Sequence, residues 1–290
     1  LTLYFGKIIM GIIDGKMVAS QIKENITTEV QSLKKKTGKS PGLAVVLVGD
    51  DPASAVYVRN KNKTCNNIGF QSFENILPAN TSESELLNLI HELNNDEKVN
   101  GILVQLPLPN HIASKKILEA INPQKDVDGF HLENVGRLVT GHSLFKPCTP
   151  AGIIKLLDKY DVEIEGKNAV IIGRSNIVGK PVAFLLLERN ATVTICHSRT
   201  KNLSNLARSA DILIAAIGKP NFVTADMVKD NSVVIDVGIN RLAGKLVGDV
   251  DFSAVLKKAS LITPVPGGVG PMTIAMLMEN TFQAFKNSLK

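Results

Sequence analysis

Short runs of β-branched and aliphatic residues recur through the second half of this chain, and they constrain its fold more than any other feature. The runs cover residues 169–173, 192–196, 212–218 and 233–238. Continuous apolar runs of this length, alternating with helical patterns, are typical of parallel strands that are buried on both faces and joined by helices. The sequence therefore predicts an α/β fold with a parallel, Rossmann-type sheet in its second half.

The first half of the chain shows the same alternation. Strands are predicted at residues 43–49, 70–77 and 101–106, and helices at 16–36, around Lys61, and at 82–94. Ser82 and Glu85 have the spacing of a capping box, which marks the start of the last of these helices. The first half is therefore predicted to be a second parallel-sheet α/β domain.

A short proline-rich segment, KPCTP at 146–150, separates the two halves. Thr149 can cap, and Pro150 can open, a helix that runs to about residue 160. A chain of 290 residues is long enough for two cores. We predict an N-terminal domain over 10–148, a second domain over 149–270, and a final helix over 271–290.

Composition is typical of a soluble, globular protein, and its charge suits small anionic ligands. Hydrophobic residues make up 44% of the chain, and the net charge is +6. The only basic run is at 34–36, so neither nucleic acid nor a membrane is an expected partner. The three cysteines are widely spaced and lack a metal-ligand pattern, which favours a reducing, cytoplasmic compartment and no metal site.

The apolar start of the chain is not expected to be a membrane anchor or a secretion signal. Residues 1–13 are interrupted by Lys7 and are too short to cross a bilayer. They also lack a basic start and a small-residue cleavage site. We expect Met10 to be the natural first residue.

One segment of the first half carries candidate catalytic residues. Asp51 is a favoured N-cap and Pro52 a favoured first helical residue, so a helix is predicted to start here. Tyr57 and Lys61 are four residues apart and therefore share one face of that helix. A lysine beside a hydroxyl can transfer protons when its surroundings favour the neutral amine. A solvated helix face would show the same spacing.

The segment GRSNIVGKP at 173–181 joins a predicted buried strand to a helix. Glycines at such a turn let backbone N–H groups approach a pyrophosphate, and the helix N-terminus attracts its charge. The pattern departs from G-x-G-x-x-G, because Ser175 replaces the second glycine and Gly179 comes one residue late. The strand context nevertheless indicates a dinucleotide-binding turn.

The residues at the end of the next strand indicate whether the cofactor is NAD or NADP. NAD sites place an acidic residue about 20 residues after the glycine turn. Here the segment CHSRT at 196–200 contains no carboxylate. Arg174 and Arg199, together with Ser198, suit a 2′-phosphate, because guanidinium groups pair with phosphate oxygens. We predict NADP as the cofactor, although a basic solvated loop has the same composition.

Two further features of the first half suggest a ligand site. Gln105 lies at the end of a predicted parallel strand, where a polar side chain faces the ligand crevice or caps a loop. Asp126 and Asp128 could bind a polar heterocycle, or shape an Asx turn before Gly129. The other ligands of a calcium loop are missing.

Together these motifs resemble the bifunctional methylenetetrahydrofolate dehydrogenase/methenyltetrahydrofolate cyclohydrolase family. The resemblance extends from about residue 12 to the C-terminus. Its elements are the segment 57–61, GILVQLPLP (101–109), KDVDGF (125–130), KPCTPAG (146–152), GRSNIVGKP (173–181), CHSRT (196–200), DVGIN (236–240) and PVPGGVGPMT (264–273). Each motif alone could arise by chance, but their order and spacing are specific.

The resemblance implies a homodimeric, two-domain enzyme that binds folate between its domains, with the final helix packing back on the first domain. It makes Lys61 the key catalytic residue, assisted by Tyr57 and Gln105, and assigns the pterin ring to Asp128. Other folate contacts are implied for Ser54, Val104, Leu106, Pro266, Gly267, Gly268, Val269 and Gly270. Cofactor contacts are implied for Gly173, Arg174, Ser175, Gly179, His197, Ser198, Arg199 and Ile239.

The implied reaction has two steps. Hydride leaves the methylene carbon of 5,10-methylenetetrahydrofolate for NADP⁺, and water then hydrolyses the methenyl cation to 10-formyltetrahydrofolate. The cation disfavours an ammonium group beside it, so neutral Lys61 can take a proton from water and return one to the ring nitrogen. The resemblance also implies a place in one-carbon metabolism, which feeds purine, methionine and histidine biosynthesis. A monofunctional dehydrogenase and a non-catalytic NADP sensor are the alternatives.

Overall fold

The structure, a computed structural model, describes residues 11–289. The predicted start at Met10 and the apolar segment before it lie outside the described residues. The described chain forms two compact units. We call them the six-stranded unit (11–19 and 149–273) and the three-stranded unit (20–148 and 274–289). The predicted α/β class with parallel sheets is confirmed.

The three-stranded unit is built around one fully buried strand. Its parallel strands are β2 (Gly42–Val48), β3 (Gln71–Leu77) and β4 (Gly101–Val104), with β2 in the centre. All seven residues of β2 are buried, as its continuous apolar run predicts. Five of the helices that lie in or enter this unit are α1 (Gly15–Thr37), α2 (Pro52–Asn67), α3 (Glu83–Asn95), α4 (Ser114–Ala120) and α5 (Leu132–Val139).

The six-stranded sheet is parallel and has the order β1-β11-β8-β7-β5-β6. Its strands are β1 (Gly11–Ile12), β5 (Asn168–Ile172), β6 (Thr192–Cys196), β7 (Ile212–Ala215), β8 (Val233–Asp236) and β11 (Leu261–Ile262). A separate antiparallel hairpin consists of β9 (Asn240–Leu242) and β10 (Lys245–Val247). The helices are α6 (Cys148–Lys159), α7 (Gly179–Glu188), α8 (Leu203–Arg208), a 3-10 turn (Ala225–Met227), α9 (Phe252–Val255) and α10 (Val269–Ser288), which ends in the three-stranded unit.

The path of the chain through this sheet creates a switch point. The chain runs outward from β5 to β6, returns to the opposite side of β5 as β7, and continues to β8. The strand order therefore reverses between β5 and β7. In open α/β sheets, ligands bind beside such a reversal, outside the carboxyl ends of the strands.

Three predicted strands, β3, β4 and β6, lie at sheet edges within the described residues, and two of them are partly exposed, whereas β4 is buried. β6 exposes Thr192 and leaves Ile195 38% exposed, although its run of β-branched residues resembles that of a buried strand. β3 leaves Ile76 62% exposed. An edge strand has a partner on one side only, and a local apolar run cannot distinguish it from a central strand.

Helix α6 begins at Cys148, two residues before Pro150, the predicted first helical residue. Thr149 therefore lies inside the helix instead of capping it. Its hydroxyl lies 2.8 Å from the hydroxyl of Thr273, in the first half of α10. A local sequence pattern does not show which tertiary contact a hydroxyl will make, so the sequence did not predict this partner.

The described residues at each end of the chain lie in a different unit from the residues that adjoin them in sequence. Residues 11–19, predicted to belong to the N-terminal domain, lie in the six-stranded unit because β1 pairs with β11. The Lys16 N–H also donates to the Gly267 carbonyl at 3.1 Å. The second half of α10 lies in the three-stranded unit, where Met278 Sδ is 3.6 Å from the Cys65 thiol.

No helix within residues 11–289 combines the length and the apolar composition needed to cross a membrane.

The capping box of α3 is the predicted one, and it gives a test of local stability. Ser82 Oγ accepts the Glu85 N–H at 3.2 Å, and the Glu85 carboxylate accepts the Ser82 N–H at 2.7 Å. Ser82→Ala is expected to destabilise the three-stranded unit by about 1 kcal/mol in urea denaturation, because the helix loses its cap. Ser84→Ala, at an exposed position of the same helix, is the control, with an expected change below ~0.5 kcal/mol. Equal destabilisation by the two variants would contradict the capping assignment.

Candidate active site

Helix α2 presents Lys61 to the end of strand β4. Asp51 caps the helix by accepting the Ser54 N–H at 2.7 Å, and Pro52 occupies the first turn, as predicted. Lys61 Nζ donates to Gln105 Oε1 at 3.0 Å, and Gln105 Nε2 donates to the Leu106 carbonyl at 2.8 Å. The second bond fixes the orientation of the amide, so that its oxygen faces the lysine.

The other two predicted residues of α2 differ in their exposure. Tyr57 is 41% exposed and lies one turn before the partly buried Lys61. Ser54 is buried, one turn earlier still. Val104 is buried as the last residue of β4, and Leu106 is partly buried beyond it. The carboxyl end of β4 and one face of α2 therefore contain the predicted catalytic group.

The two carboxylates of the KDVDGF segment have different surroundings. Asp126 is buried, and its Oδ2 accepts the His131 N–H and the Asn134 side-chain amide, both at 2.8 Å. Its backbone carbonyl accepts the Gly129 N–H at 3.1 Å. Asp126 thus shapes the turn. Asp128 is left to face Lys61, whose positive charge acts on it.

Burial controls the ionisation of Asp128. Removal from water raises the pKa of its carboxyl to about 6. Lys61 acts against this shift, Asp126 adds to it, and the Cys148 thiol opposes it by donating a hydrogen bond at 3.7 Å. The group can therefore exchange between its charged and neutral forms slightly below neutral pH.

Cys148 and Asn280 complete this cluster, and neither is a predicted site residue. The Cys148 thiol lies 3.4 Å from the Val127 carbonyl, next to Asp128. Asn280 Nδ2 donates to the Val127 carbonyl at 2.8 Å and to the Lys146 carbonyl at 2.9 Å. A lone cysteine in KPCTP is a weak sequence signal, and an isolated asparagine in the last helix gives none.

The glycine turn of the six-stranded unit is closely packed. A Cβ at Gly173 would lie 2.2 Å from the Ala216 carbonyl oxygen, and one at Gly179 would lie 2.3 Å from the Gly173 carbonyl oxygen. Neither position accepts a side chain, so β5, the loop after β7 and the start of α7 approach each other closely. Ser175 Oγ accepts the N–H groups of Val178 and Gly179 at 3.1 and 3.3 Å. The imperfect glycine motif therefore closes a turn of the expected kind.

The loop after β6 is held by its own side chains. The Thr200 hydroxyl accepts the His197 N–H at 2.8 Å, and His197 Nδ1 accepts the Arg199 N–H at 3.1 Å. Ser198 and Arg199 are exposed, as is Arg174 in the glycine turn. Within residues 11–289, neither guanidinium group has a side-chain partner, so both are available to an anionic ligand.

The PVPGGVG loop lies in the six-stranded unit, whereas Lys61 lies in the three-stranded unit. The Gly268 N–H donates to the Pro264 carbonyl at 2.8 Å. A Cβ at Gly270 would lie 3.6 Å from Ile239 Cδ1, and Ile239 is 46% exposed. Pro266, Gly267 and Val269 complete the loop. The predicted folate loop and the predicted nicotinamide residue are therefore neighbours.

Within the described residues, no group of three or more histidine, cysteine, aspartate or glutamate side chains is arranged to hold a metal ion.

The parallel sheet with a glycine turn at its switch point defines a nucleotide-binding α/β protein, and the Lys61 cluster has the groups of an acid–base catalyst. Family models describe the tetrahydrofolate dehydrogenase/cyclohydrolase catalytic domain and NAD(P)-binding domain, and they match residues 13–128 and 147–289. The chain belongs to this family.

Individual relatives agree closely. The bifunctional protein FolD of Campylobacter hominis is 60% identical, over 97% of this chain and 99% of its own length. The crystal structure of the bifunctional FolD methylenetetrahydrofolate dehydrogenase/cyclohydrolase from Campylobacter jejuni has a TM-score of 0.94 and 55% identity, covering 95% of this chain and 98% of that one. The Trypanosoma brucei enzyme, complexed with NADP and an inhibitor, has a TM-score of 0.93 and 40% identity, covering 96% and 98%.

This chain is accordingly an enzyme with dehydrogenase and cyclohydrolase activities on tetrahydrofolates. The predicted family, enzyme class and nicotinamide dinucleotide cofactor are confirmed. The roles of individual residues stay predictions.

Proposed function

We propose that the chain oxidises 5,10-methylenetetrahydrofolate with NADP⁺ and hydrolyses the methenyl product to 10-formyltetrahydrofolate, with Lys61 transferring the protons of the hydrolysis. The observation that carries this proposal is the 3.0 Å hydrogen bond from Lys61 to Gln105, beside Asp128. Gln105 is an uncharged acceptor. It therefore positions the amine without adding a second carboxylate beside Asp128.

The hydrolysis begins when water adds to the methenyl carbon. Neutral Lys61 takes the proton that this water loses, and a C–O bond forms. Lys61 then returns a proton to the departing ring nitrogen as its bond to the carbon breaks, and the proton of the new hydroxyl leaves to solvent. Tyr57, exposed one turn before Lys61, stacks on the folate and assists the proton transfer.

The same cluster recognises the folate. Ionised Asp128 accepts hydrogen bonds from the N–H groups of the pterin, which are donors of the kind a carboxylate binds well. The Cys148 thiol donates to the Asp128 carboxylate, and the Asn280 amide donates to the carbonyl of the preceding residue, Val127. Both contacts hold Asp128 in place. Ser54, Val104 and Leu106 supply further contacts with the folate.

The six-stranded unit binds NADP at its switch point. Gly173, Ser175 and Gly179 shape the turn for the pyrophosphate, since the helix N-terminus behind it favours negative charge. Arg174, Ser198 and Arg199, with His197, bind the 2′-phosphate. Ile239 contacts the nicotinamide side. The NADP bound by the Trypanosoma brucei relative supports this choice of cofactor.

The setting of the enzyme is inferred from the family resemblance. We infer a cytoplasmic homodimer that acts in the one-carbon metabolism feeding purine, methionine and histidine biosynthesis. The free, buried state of Cys65, Cys148 and Cys196 supports a reducing compartment.

A time course with methylenetetrahydrofolate and NADP⁺ tests the whole proposal. NADPH together with formyl product, formed faster than by spontaneous hydrolysis, is the expected result. Accumulation of the methenyl compound would instead indicate a monofunctional dehydrogenase, and the absence of NADPH would indicate an NADP-sensing protein. The bifunctional relatives at 60% identity favour the first result.

Lys61→Met is expected to abolish catalysed hydrolysis of methenyltetrahydrofolate, because the proton-transferring amine is lost. NADP binding, measured by calorimetry, is expected to persist. Lys63→Met is the matched control, because Lys63 is exposed on the same helix and its replacement removes the same charge. Full cyclohydrolase activity in the Lys61 variant would reject the assignment.

Arg174→Ala is expected to raise the KM for NADP by roughly ten- to a hundredfold while changing the KM for NAD little, because a charge-assisted bond to the 2′-phosphate is lost. Arg241→Ala, an exposed hairpin position with the same change of charge, serves as the control. Equal losses with both cofactors would mean that Arg174 does not contact the 2′-phosphate.

Binding of tetrahydrofolate is expected to weaken as the pH falls through about 6, because protonation of Asp128 removes the pterin acceptor. A single group with this pKa gives about tenfold weaker affinity at pH 5 than at pH 7. Calorimetry on the wild type and on Asp128→Asn separates this effect from the titration of the ligand, which both proteins share. Cys148→Ala should move the midpoint upward, since the thiol no longer stabilises the charged form. Identical pH profiles for all three proteins would contradict the role of Asp128.

A further inference from the structure

Two buried carboxylates of the six-stranded unit have no part in the chemistry described above. Asp236 is the last residue of β8, and Asp249 follows β10. They are 3% and 0% exposed. Within residues 11–289, neither forms an ion pair with a lysine or arginine. Burying an unpaired carboxylate is costly unless many hydrogen bonds compensate for the lost water.

Backbone N–H groups and one amide side chain supply this compensation. Asp236 accepts the N–H groups of Gly238 at 3.0 Å, Asp249 at 2.9 Å and Val250 at 3.0 Å. Asp249 Oδ2 accepts the N–H groups of Ile217 at 2.7 Å and Gly218 at 3.0 Å, and its Oδ1 accepts the Lys219 N–H at 2.8 Å and the Asn240 side-chain amide at 2.9 Å. Asp236 therefore fixes the backbone of Asp249, whose side chain in turn fixes two loops.

Two glycines make this arrangement possible. A Cβ at Gly238 would lie 2.1 Å from Asp249 Oδ1, and a Cβ at Gly248 would lie 1.8 Å from Asp236 Oδ2. Any side chain at either position would displace a carboxylate. The local sequence is thus adapted to the Asp236/Asp249 pair. Burial raises the pKa of Asp236 to about 6, and the neighbouring Asp249 charge adds to the shift.

The loops held by the pair lie at the functional edge of the sheet. Residues 217–219 follow β7 and residues 237–240 follow β8, and these strands are neighbours. Ala216 packs against Gly173 of the nucleotide turn. Because the pyrophosphate belongs at the β5 turn and the 2′-phosphate at the loop after β6, an extended dinucleotide directs its other half toward β7 and β8.

We propose that Asp236 and Asp249 are positioning residues for the nicotinamide ring of the bound cofactor. In this proposal, neither aspartate contacts the cofactor or the folate. They hold the backbone of residues 217–219 and the Ile239–Asn240 segment in the arrangement that orients the ring for hydride transfer. This inference rests on the proposed binding of NADP at the switch point.

The key variant is Asp249→Asn, which replaces one acceptor oxygen with an NH₂ group. In one orientation that group faces the N–H groups of Ile217 and Gly218, and in the other it faces the Lys219 N–H and the Asn240 amide, so at least one backbone N–H loses its acceptor. We expect the kcat for NADPH formation to fall by ten- to a hundredfold. The ratio of KM values for NADP and NAD should stay unchanged, because the residues proposed for the 2′-phosphate are untouched. Methenyl hydrolysis should stay within twofold of the wild type.

Two further variants keep the test decisive. Asn240→Ala removes a single hydrogen bond to Asp249 and should give a smaller loss of kcat with the same unchanged ratio, even if Asp249→Asn does not fold. Asp251→Asn is the matched control, since Asp251 only caps α9, and its dehydrogenase kcat should match that of the wild type.

Three results would overturn the inference: an unchanged kcat in folded Asp249→Asn, a parallel loss of both activities in Asn240→Ala, or an altered NADP-to-NAD ratio. NADPH formation by the wild type tests the proposed function separately, because the inference concerns only the ratio of variant to wild type.

Discussion

The burial of parallel strands on both faces is the constraint on which both candidate sites depend. A strand such as β2, with every residue buried, has no room for an ionisable side chain along its length. Polar groups must therefore gather where strands end. Gln105 follows β4, the glycine turn follows β5, and Asp236 ends β8. In each unit the chemistry is concentrated at the carboxyl edge, where backbone groups leave the ladder and become available.

Buried carboxylates serve two different purposes in this chain. Asp236 and Asp249 each accept hydrogen bonds from several N–H donors, and these bonds fix the geometry of the surrounding loops. Asp126 does the same for the turn before Gly129. Among residues 11–289, Asp128 has the weak Cys148 donor and the charge of Lys61, which leaves its acceptor oxygens available to a ligand. The count of internal donors distinguishes a structural carboxylate from one that can bind substrate.

Local signals in the sequence predicted a large part of this structure, and tertiary partners account for the rest. The capping box at Ser82, the cap at Asp51 and the central strands follow from nearest neighbours in sequence. The exposure of β6, the contact of Thr149 with Thr273 and the pairing of β1 with β11 depend on residues far away in the chain. Asn280 is the extreme case, because a single asparagine gains its meaning only from two loops more than a hundred residues earlier.

The choice of Gln105 beside Lys61 explains how one cluster can support proton transfer. A carboxylate in its place would stabilise the ammonium form and oppose the loss of a proton. An amide oxygen accepts the same hydrogen bond without a net charge, and its own NH₂ group is held by the Leu106 carbonyl, so it cannot turn away. Burial raises the pKa of the Asp128 carboxyl, on which the Lys61 charge acts, to about 6, and this carboxyl binds the pterin in the proposed mode. Gln105 therefore sets the position of the lysine without adding a charge beside it.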